Sequence, residues 1–307
     1  MPSFTSNSDL TRWLGAGLLA LIVWAAGVIA YERQLRSVGH LPTVIDTPQL
    51  WAQERSRVYG DQALVFIGAS RTLYGIDLAT VEAMVPESNA VMLATDGRYP
   101  MVTLKALAAD PEFNGTLVVD IDAQGLSLHH WDDQTRYNRY FTGEWTPSGS
   151  VHRWLLSPLQ SRWTVLSPRL GWLPMSKSWL EIAPPPFLAH DALSARREGY
   201  LDLDRVDAAG LARMFKADLE RELEKHPPPP AEAWLKMLAP VSDWVRRIEA
   251  RGGRVVFFVP PVSGYQATLV EAAYPRARYW QRFIDQYQLR GWHYLDDEEL
   301  LLSLIHI

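Results

Sequence analysis

The feature that most constrains this chain is an uncharged stretch of nineteen residues near the N-terminus, residues 13–31. As an α-helix rising about 1.5 Å per residue, this stretch spans about 28 Å, close to the hydrocarbon thickness of a bilayer. Trp13 and Tyr31 stand at its two ends, where amphipathic rings prefer the level of the lipid headgroups. The stretch therefore predicts a transmembrane anchor over residues 13–31, preceded by a short tail over residues 1–12.

A cleaved signal peptide is the main alternative to an anchor. Val28 and Ala30 are small residues of the kind that precede a cleavage site, but the apolar stretch is longer than the core of a typical signal peptide. A buried helix of a soluble domain is a further alternative. The positive-inside rule slightly favours a cytoplasmic location for the C-terminal flank, because Arg33 and Arg36 outnumber Arg12, but the rule is weak when a long domain follows.

Composition narrows the range of functions for the remaining chain. With 48% apolar and 21% charged residues among 307, the bulk is globular and large enough to bury a core. The net charge of −5 and the absence of any lysine- and arginine-rich block argue against a nucleic-acid partner. The chain has no cysteine, which excludes disulfides, thiolate metal sites and a cysteine nucleophile.

The segments after the anchor alternate between strand and helix patterns. A linker over residues 32–60, with a helix at 49–59, leads into one domain over residues 61–307. Strands are expected at 63–67, 89–93, 115–122, 254–259 and 292–295, and helices at 77–84, 100–109, 208–225, 230–251 and 267–288. Residues 125–205 are rich in Trp, Pro, Ser and His and are expected to form a long insertion with short helices. This alternation predicts an α/β fold with a parallel, doubly wound, flavodoxin-like sheet.

Polar residues at the ends of the predicted strands indicate where chemistry could occur. Ligands of open parallel sheets bind beyond the carboxyl ends of the strands. Ser70 follows the first strand, Asp120 and Asp122 end the third, and Ser263 follows the fourth. At the end of the first strand, a serine hydroxyl and its own backbone N–H can point the same way, as an acyl-transfer nucleophile requires. The alternative is that Ser70 only caps a helix or forms a turn.

Two short segments carry a resemblance to a known superfamily. Residues 65–71 read Val-Phe-Ile-Gly-Ala-Ser-Arg, and residues 89–97 read Asn-Ala-Val-Met-Leu-Ala-Thr-Asp-Gly. They resemble the first and second blocks of the SGNH/GDSL hydrolases, in the divergent form of membrane-anchored members that have GSSR or GASR in place of GDS. The resemblance implies a three-layer α/β sandwich with Ser70 as nucleophile and with the backbone N–H groups of Ser70 and Gly97 as oxyanion donors.

The sequence departs from that superfamily at two places. The third block supplies an asparagine to the oxyanion hole, whereas here Asp120 and Asp122 occupy the region, and an ionised carboxylate would repel an oxyanion. The C-terminal Asp-x-x-His block is also absent; His293 and His306 lie nearest to its expected place. Because residues 302–307 match the translation of CTGTCTCTTATACACATCT, a transposon mosaic end, we expect the natural protein to continue past Leu301 into that block.

The resemblance implies a single-pass protein of the inner (cytoplasmic) membrane with its main domain on the exported side. The expected function is a serine esterase or O-acyltransferase acting on acyl esters of a cell-envelope glycan, with the membrane and a cell-envelope polysaccharide as partners and no cofactor. The alternative is a non-catalytic envelope scaffold or binding protein that keeps the fold. A nucleotide-binding function is disfavoured because residues 68–70 match neither the G-x-G-x-x-G nor the Walker pattern.

The adjacent histidines His129 and His130 raise the separate question of a metal site. Neighbouring side chains on a strand point to opposite faces, so two adjacent histidines there could not bind one ion. No metal site is expected, and both residues are interpreted as solvated loop residues.

Overall fold

The computed structural model describes residues 7–182 and 189–296. Its centre is a five-stranded parallel sheet in the order β2-β1-β3-β6-β7, and an antiparallel pair, β4-β5, lies outside that sheet. The strands are β1 (Ala63–Ile67), β2 (Asn89–Met92), β3 (Thr116–Asp120), β4 (Asp191–Leu193), β5 (Gly199–Leu201), β6 (Arg254–Val259) and β7 (Gly291–His293).

Thirteen α-helices accompany the strands within the described residues. They are α1 (Asn7–Ser37), α2 (Pro48–Arg55), α3 (Ser70–Gly75), α4 (Leu78–Met84), α5 (Met101–Ala109), α6 (Thr135–Gly143), α7 (Pro147–Gln160), α8 (Trp172–Trp179), α9 (Ala208–Lys225), α10 (Ala231–Met237), α11 (Ala239–Glu249), α12 (Gly264–Ala273) and α13 (Trp280–Tyr287). Short 3-10 turns include Leu128–His130, Thr164–Leu166 and Pro168–Leu170.

Strand register places the functional candidates at one edge of the sheet. Leu64 of β1 lies opposite Thr116 of β3, and Thr116 lies opposite Arg254 of β6. Because all neighbouring strands of this sheet run parallel, their carboxyl ends meet at the same edge. The residues that follow β1 and β3, among them Ser70 and Asp122, therefore emerge side by side.

Alternating side chains of the strands bury apolar surface on both faces of the sheet. Val65 and Ile67 of β1 belong to the larger cluster, which also contains side chains of α2, α5, α10, α11 and α13. Phe66, between them, belongs to a smaller cluster with side chains of α3, α4 and the β4-β5 pair, including Leu193. This two-sided burial explains why β1 and β6 read as nearly continuous apolar runs.

The N-terminal helix α1 projects from this domain. Its segment from Leu10 to Ser37 is long and apolar enough to cross a membrane, and its most apolar stretch is exposed. Its C-terminal end packs on the domain: the Glu32 carboxylate accepts hydrogen bonds from the N–H groups of Thr164 (3.1 Å) and Val165 (2.8 Å). Tyr31 Oη donates to the carbonyl of Leu170 (3.0 Å). The described residues thus comprise an α/β domain with one apolar N-terminal helix.

Several elements occur at the predicted limits. Strands β1 and β6 and helix α9 match the expected ranges, and the Asp77 side chain caps α4 by accepting a hydrogen bond from the N–H of Thr80. The helices expected at 230–251 and 267–288 are wrong as single helices. The first is divided at Leu238, two residues before Pro240, and the second at residues 274–279, which contain Pro275. Proline lacks the N–H that a continuous helix would need.

Candidate active site at the carboxyl edge of the sheet

Ser70 lies three residues beyond the end of β1, as the first residue of the six-residue helix α3. The helix cap is Ala69, whose conformation is extended, and no side chain makes a capping hydrogen bond. Ser70 is half-buried, and within the described residues its hydroxyl makes no hydrogen bond. The alternative that Ser70 caps the helix is therefore wrong, and its hydroxyl is available at the edge of the sheet.

Gly68 allows the segment that carries Ser70 to lie directly against the end of β3. A Cβ at Gly68 would come within 2.7 Å of Asp120 Cβ and 2.9 Å of Thr72 Oγ1. No side chain is compatible with such separations unless the neighbours move. The glycine in this motif thus has a physical role: it brings the backbone before Ser70 into contact with the Asp120 side chain.

Asp120, the last residue of β3, and Asp122, two residues further on, form an ion-pair group with the residue that follows Ser70. Arg71 Nη2 lies 3.4 Å from Asp120 Oδ1 and 3.1 Å from Asp122 Oδ2. Asp120 also accepts a 2.8 Å hydrogen bond from Thr72 Oγ1, and Asp122 accepts one of 2.8 Å from the N–H of Gly125. Both carboxylates are thus engaged by donors, and they hold Arg71 beside the nucleophile candidate.

Burial and charge act in opposite directions on the pKa values of this group. Burial raises the pKa of Asp120, which is 1% exposed, while Arg71 and the Thr72 hydroxyl act to lower it. Burial disfavours the charge of Arg71, but Asp120 and Asp122 outweigh that effect and raise the pKa of Arg71. The guanidinium therefore remains charged and offsets one of the two negative charges that would repel an oxyanion nearby.

The predicted second block lies beside the first. The N–H of Thr95 donates to the carbonyl of Gly68 (3.0 Å), and Thr95 pairs with Arg98 across a turn. Gly97 lies in this turn with φ +62°, a left-handed conformation that favours glycine. The structure thus brings the Gly97 turn next to the Ser70 segment, while the role of Gly97 as an oxyanion donor stays a prediction.

Gln134 joins these two segments and was missed by the sequence analysis. Its fully buried side-chain amide donates to the carbonyls of Gly68 and Arg98, each at 3.1 Å. Its amide oxygen accepts a hydrogen bond from the Thr103 hydroxyl. Gln134 lies in the predicted insertion, where no periodic pattern or motif marks it, so only the tertiary structure reveals this role.

A cavity of about 330 Å³ opens beside Arg71 at the same edge. Asp122 and His293 line it, together with residues of α12 and the loop that follows. Burial, followed by the nearby Arg276 charge, lowers the pKa of His293 to about 4. His293 Nδ1 accepts a hydrogen bond from the N–H of Leu295 (3.2 Å), which places the proton of the neutral imidazole on Nε2.

The other histidines considered in the sequence are His306, His129 and His130. His306, like residues 302–307 as a whole, lies outside the described residues. The expectation that His129 and His130 point to opposite faces is wrong, because they lie on the 3-10 turn Leu128–His130 and not on a strand. Their ring centroids are 4.1 Å apart, and both rings approach Glu222.

No protein-family model, curated protein or solved structure matches this chain. The resemblance of residues 65–71 and 89–97 to the SGNH blocks therefore stays a prediction. Any functional proposal depends on the geometry around Ser70.

Proposed function

We propose that this chain is a membrane-anchored serine esterase or O-acyltransferase that acts on acyl esters of a cell-envelope glycan. The observation that carries the proposal is the position of Ser70, directly beyond the carboxyl end of β1 in a parallel sheet. Its hydroxyl is half-buried, does not cap α3 and makes no hydrogen bond within the described residues. A nucleophile requires a hydroxyl that is free to meet both a base and a substrate carbonyl.

The order of the strands supports this assignment. The order β2-β1-β3-β6-β7, with all five strands parallel, supports the proposal of a doubly wound, flavodoxin-like sheet. In such sheets the ligand binds where the strand order reverses, which here is the crevice between β1 and β3. Ser70 follows β1, and Asp120 and Asp122 end β3 or follow it, so the candidate residues flank that crevice. Burial on both faces of the sheet supports an SGNH-type three-layer sandwich.

The proposed chemistry is acyl transfer through a covalent serine intermediate. Ser70 Oγ attacks the carbonyl carbon of the ester while a base takes its proton. The glycan oxygen then leaves with a proton, and the acyl group remains on Ser70 until water or an acceptor hydroxyl removes it. The N–H groups of Ser70 and Gly97 would stabilise the oxyanion, and each such donor contributes about two to three orders of magnitude in turnover.

The scaffold alternative has a specific observation in its favour. Among the described residues, no histidine hydrogen-bonds Ser70, and Asp120 and Asp122 are both engaged by Arg71. A serine hydroxyl without a base is a weak nucleophile. Catalysis by Ser70 would therefore require a base other than the side chains that hydrogen-bond within this group of described residues.

The membrane part of the proposal is supported by α1 and by an exposed apolar surface near its C-terminal end. Helix α7 buries Arg153, Ser157 and Gln160 against the domain. Its opposite side, which we call the apolar face of α7, is exposed and consists of Val151, Trp154, Leu155 and Leu159. An outward apolar stripe at helical spacing is typical of a helix lying in a membrane interface.

This apolar face is connected to α1 through the segment that follows α7. Near the C-terminal end of α1, the Glu32 carboxylate accepts hydrogen bonds from the N–H groups of Thr164 and Val165. The Tyr31 ring makes an edge-on contact with the Trp179 ring of α8, with centroids 6.3 Å apart. Leu180 and Ile182, just beyond α8, are each 70% exposed. We infer that α1 spans the membrane and that these residues rest on its surface.

The proposed orientation can be tested with a reporter enzyme fused after Gly60, between the anchor and β1. Export of the domain predicts activity of a periplasmic reporter and no activity of a cytoplasmic one. The opposite pattern would contradict the proposed orientation. Extraction with carbonate should leave the full chain in the membrane fraction, because one apolar helix of this length resists removal without detergent.

The proposed activity can be tested by measuring the release of acetate from O-acetylated glycan fragments by the full-length protein in detergent. Ser70→Ala should abolish release, whereas Ser263→Ala should not. Ser263 is a matched control because it also follows a strand of the sheet at the carboxyl edge and precedes a helix, α12. Equal activity of both variants, or no activity of the wild type towards acyl esters, would favour the scaffold alternative.

A further inference from the structure

Three histidines and one glutamate converge where the segment after β3 meets the C-terminal end of α9. We call His129, His130, Glu222 and His226 the histidine cluster. His129 and His130 belong to the 3-10 turn Leu128–His130, Glu222 lies in the last turns of α9, and His226 is the residue that ends this helix. The cluster has no role in the proposed acyl transfer.

The nitrogen atoms of the cluster approach a single carboxylate oxygen. Glu222 Oε1 lies 3.1 Å from His129 Nε2, 4.0 Å from His130 Nε2 and 3.9 Å from His226 Nε2. The ligand atoms of His129, His130 and Glu222 all lie within 4.8 Å of one another. One carboxylate cannot satisfy three imidazoles in this way, and imidazolium charges on adjacent rings would repel each other. A cation shared by His129, His130 and Glu222 would satisfy the ligand atoms of these three side chains.

His130 supplies a second, independent observation. Its Nε2 is buried and has no hydrogen-bond partner among the described residues, while its Nδ1 lies 3.2 Å from Asp133 Oδ2. A neutral imidazole that donates from Nδ1 to a carboxylate presents the lone pair of Nε2, as metal-binding histidines commonly do. The N–H of Tyr99 donates a 3.1 Å hydrogen bond to Asp133 Oδ2, and the Tyr99 ring packs on the His130 ring with centroids 4.5 Å apart. The ring is thus oriented before any ion binds.

We propose that the histidine cluster is a binding site for a divalent transition-metal ion, with Zn²⁺ as the expected occupant. His129 Nε2, His130 Nε2 and a Glu222 carboxylate oxygen are the protein ligands. Two imidazoles, one carboxylate and an open fourth position form a common zinc arrangement. Tetrahedral ligands about 2 Å from zinc are about 3.3 Å from one another, so the measured separations require only small side-chain rotations.

The surroundings of the cluster are compatible with an open fourth position. A cavity of about 440 Å³ adjoins it and is lined by His129, His226, Lys225 and Trp234, among others. The His226 ring stacks on that of His129 at 4.2 Å and nearly in parallel, at 11°. The His226 ring therefore supports the position of the His129 ring, and water can fill the remaining coordination position from the cavity.

Metal binding would attach α9 to the sheet. None of the eighteen residues of α9 is buried, so the helix has little apolar contact of its own with the domain. Glu222 is the residue through which α9 reaches the turn that follows β3. An ion bound jointly by Glu222 and the two histidines would therefore stabilise α9 in place, because binding to the folded state alone adds to its stability.

The site can be tested with untagged full-length protein in detergent, stripped by a chelator and titrated with Zn²⁺ by isothermal titration calorimetry. We expect one zinc per chain at micromolar concentration. Glu222→Gln and His129→Ala should each weaken zinc binding at least tenfold. Loss of a residue that orients a metal ligand typically weakens binding about 10–100-fold, and loss of the ligand itself should weaken it at least as much. Asp133→Asn should weaken binding within that range. The exposed His152→Ala on α7 should leave binding unchanged.

Two further measurements distinguish a built site from adventitious binding. Co²⁺ in place of Zn²⁺ should give the intense visible absorption of tetrahedral coordination in the wild type and in His152→Ala, but not in Glu222→Gln. Hydrogen exchange of the amides of α9 should slow when Zn²⁺ is added, again only where Glu222 is present. The proposal would be overturned if the wild type did not bind zinc, or if Glu222→Gln, His129→Ala and the wild type bound zinc equally strongly. Circular dichroism should show that each variant is folded.

Discussion

Thr72 Oγ1 donates a 2.8 Å hydrogen bond to Asp120 Oδ2, and both side chains are buried. This bond joins the helix that begins with Ser70 to the last residue of β3. Arg71, between Ser70 and Thr72, contacts the other oxygen of the same carboxylate at 3.4 Å. The position of the nucleophile candidate thus depends on a buried carboxylate one strand away, which the sequence presents only as the polar end of a strand.

Replacing Thr72 by valine should destabilise the domain while keeping its shape. The change leaves Asp120 with one donor fewer in a buried position, which should lower the free energy of unfolding by about 1–2 kcal/mol. Thr142→Val is the matched control, because Thr142 is exposed and bonds only within its own helix, α6. Denaturant unfolding in detergent measures both; an equal effect of the two changes would show that the Asp120 contact contributes nothing.

A methyl group at Gly68 should be poorly tolerated. In Gly68→Ala the added carbon would meet Asp120 Cβ and Thr72 Oγ1, so we expect a loss of about 1–3 kcal/mol in the free energy of unfolding. Gly75→Ala, at the end of α3, places its methyl group in open space and should change stability by less than about 0.5 kcal/mol. If both variants unfold at the same denaturant concentration, the close approach at Gly68 is not real.

His293 should make stability fall in mildly acidic solution. Its pKa is about 4 in the folded chain, against 6.5 for an unperturbed histidine, because burial and the Arg276 charge disfavour the imidazolium. The unfolded chain therefore binds the proton first, and stability is lost as the pH falls from about 6.5 towards 4. At pH 5 the loss is about 2 kcal/mol relative to pH 7.5. His293→Asn should remove this part of the pH dependence, and His152→Asn should not; identical pH profiles for His293→Asn and the wild type would contradict the assignment.

The apolar face of α7 should contact lipid. Because the chain contains no cysteine, a spin label can be attached at a single introduced site. Trp154 is 70% exposed. A label at Trp154→Cys should therefore be more accessible to lipid-soluble oxygen than to an aqueous nickel complex. A label at Arg213→Cys on α9 should show the reverse preference. Equal accessibility at the two sites would mean that α7 faces water.

The sequence predicted those parts of the fold that depend on local pattern. Strands β1 and β6 are short apolar runs bounded by turn residues, so their limits were correct. The break between α12 and α13 was missed because the apolar spacing continues across it and only Pro275 marks the change. The β4-β5 pair was missed because three-residue strands carry no measurable period.

The sequence could indicate which residues carry the candidate site, but it could not indicate which side chains contact one another there. Ser70 could be proposed from its place after a strand, and Gly97 from the resemblance of its segment. The bonds made by Gln134, Arg71 and Thr72 depend on how distant segments meet, which no local pattern encodes. The sequence-based argument about His129 and His130 used the geometry of a strand. Both residues instead lie on a 3-10 turn, and both rings approach Glu222.

Covalent labelling of Ser70 by a fluorophosphonate tests the central claim most directly. The measurement uses the full-length protein expressed in membranes, followed by peptide mass spectrometry to locate the adduct. The account predicts one adduct per chain, on Ser70, that disappears in Ser70→Ala and persists in Ser263→Ala, because only an activated hydroxyl attacks the probe. Absence of any adduct in the folded wild-type protein, or an adduct on Ser263 and not on Ser70, would contradict it.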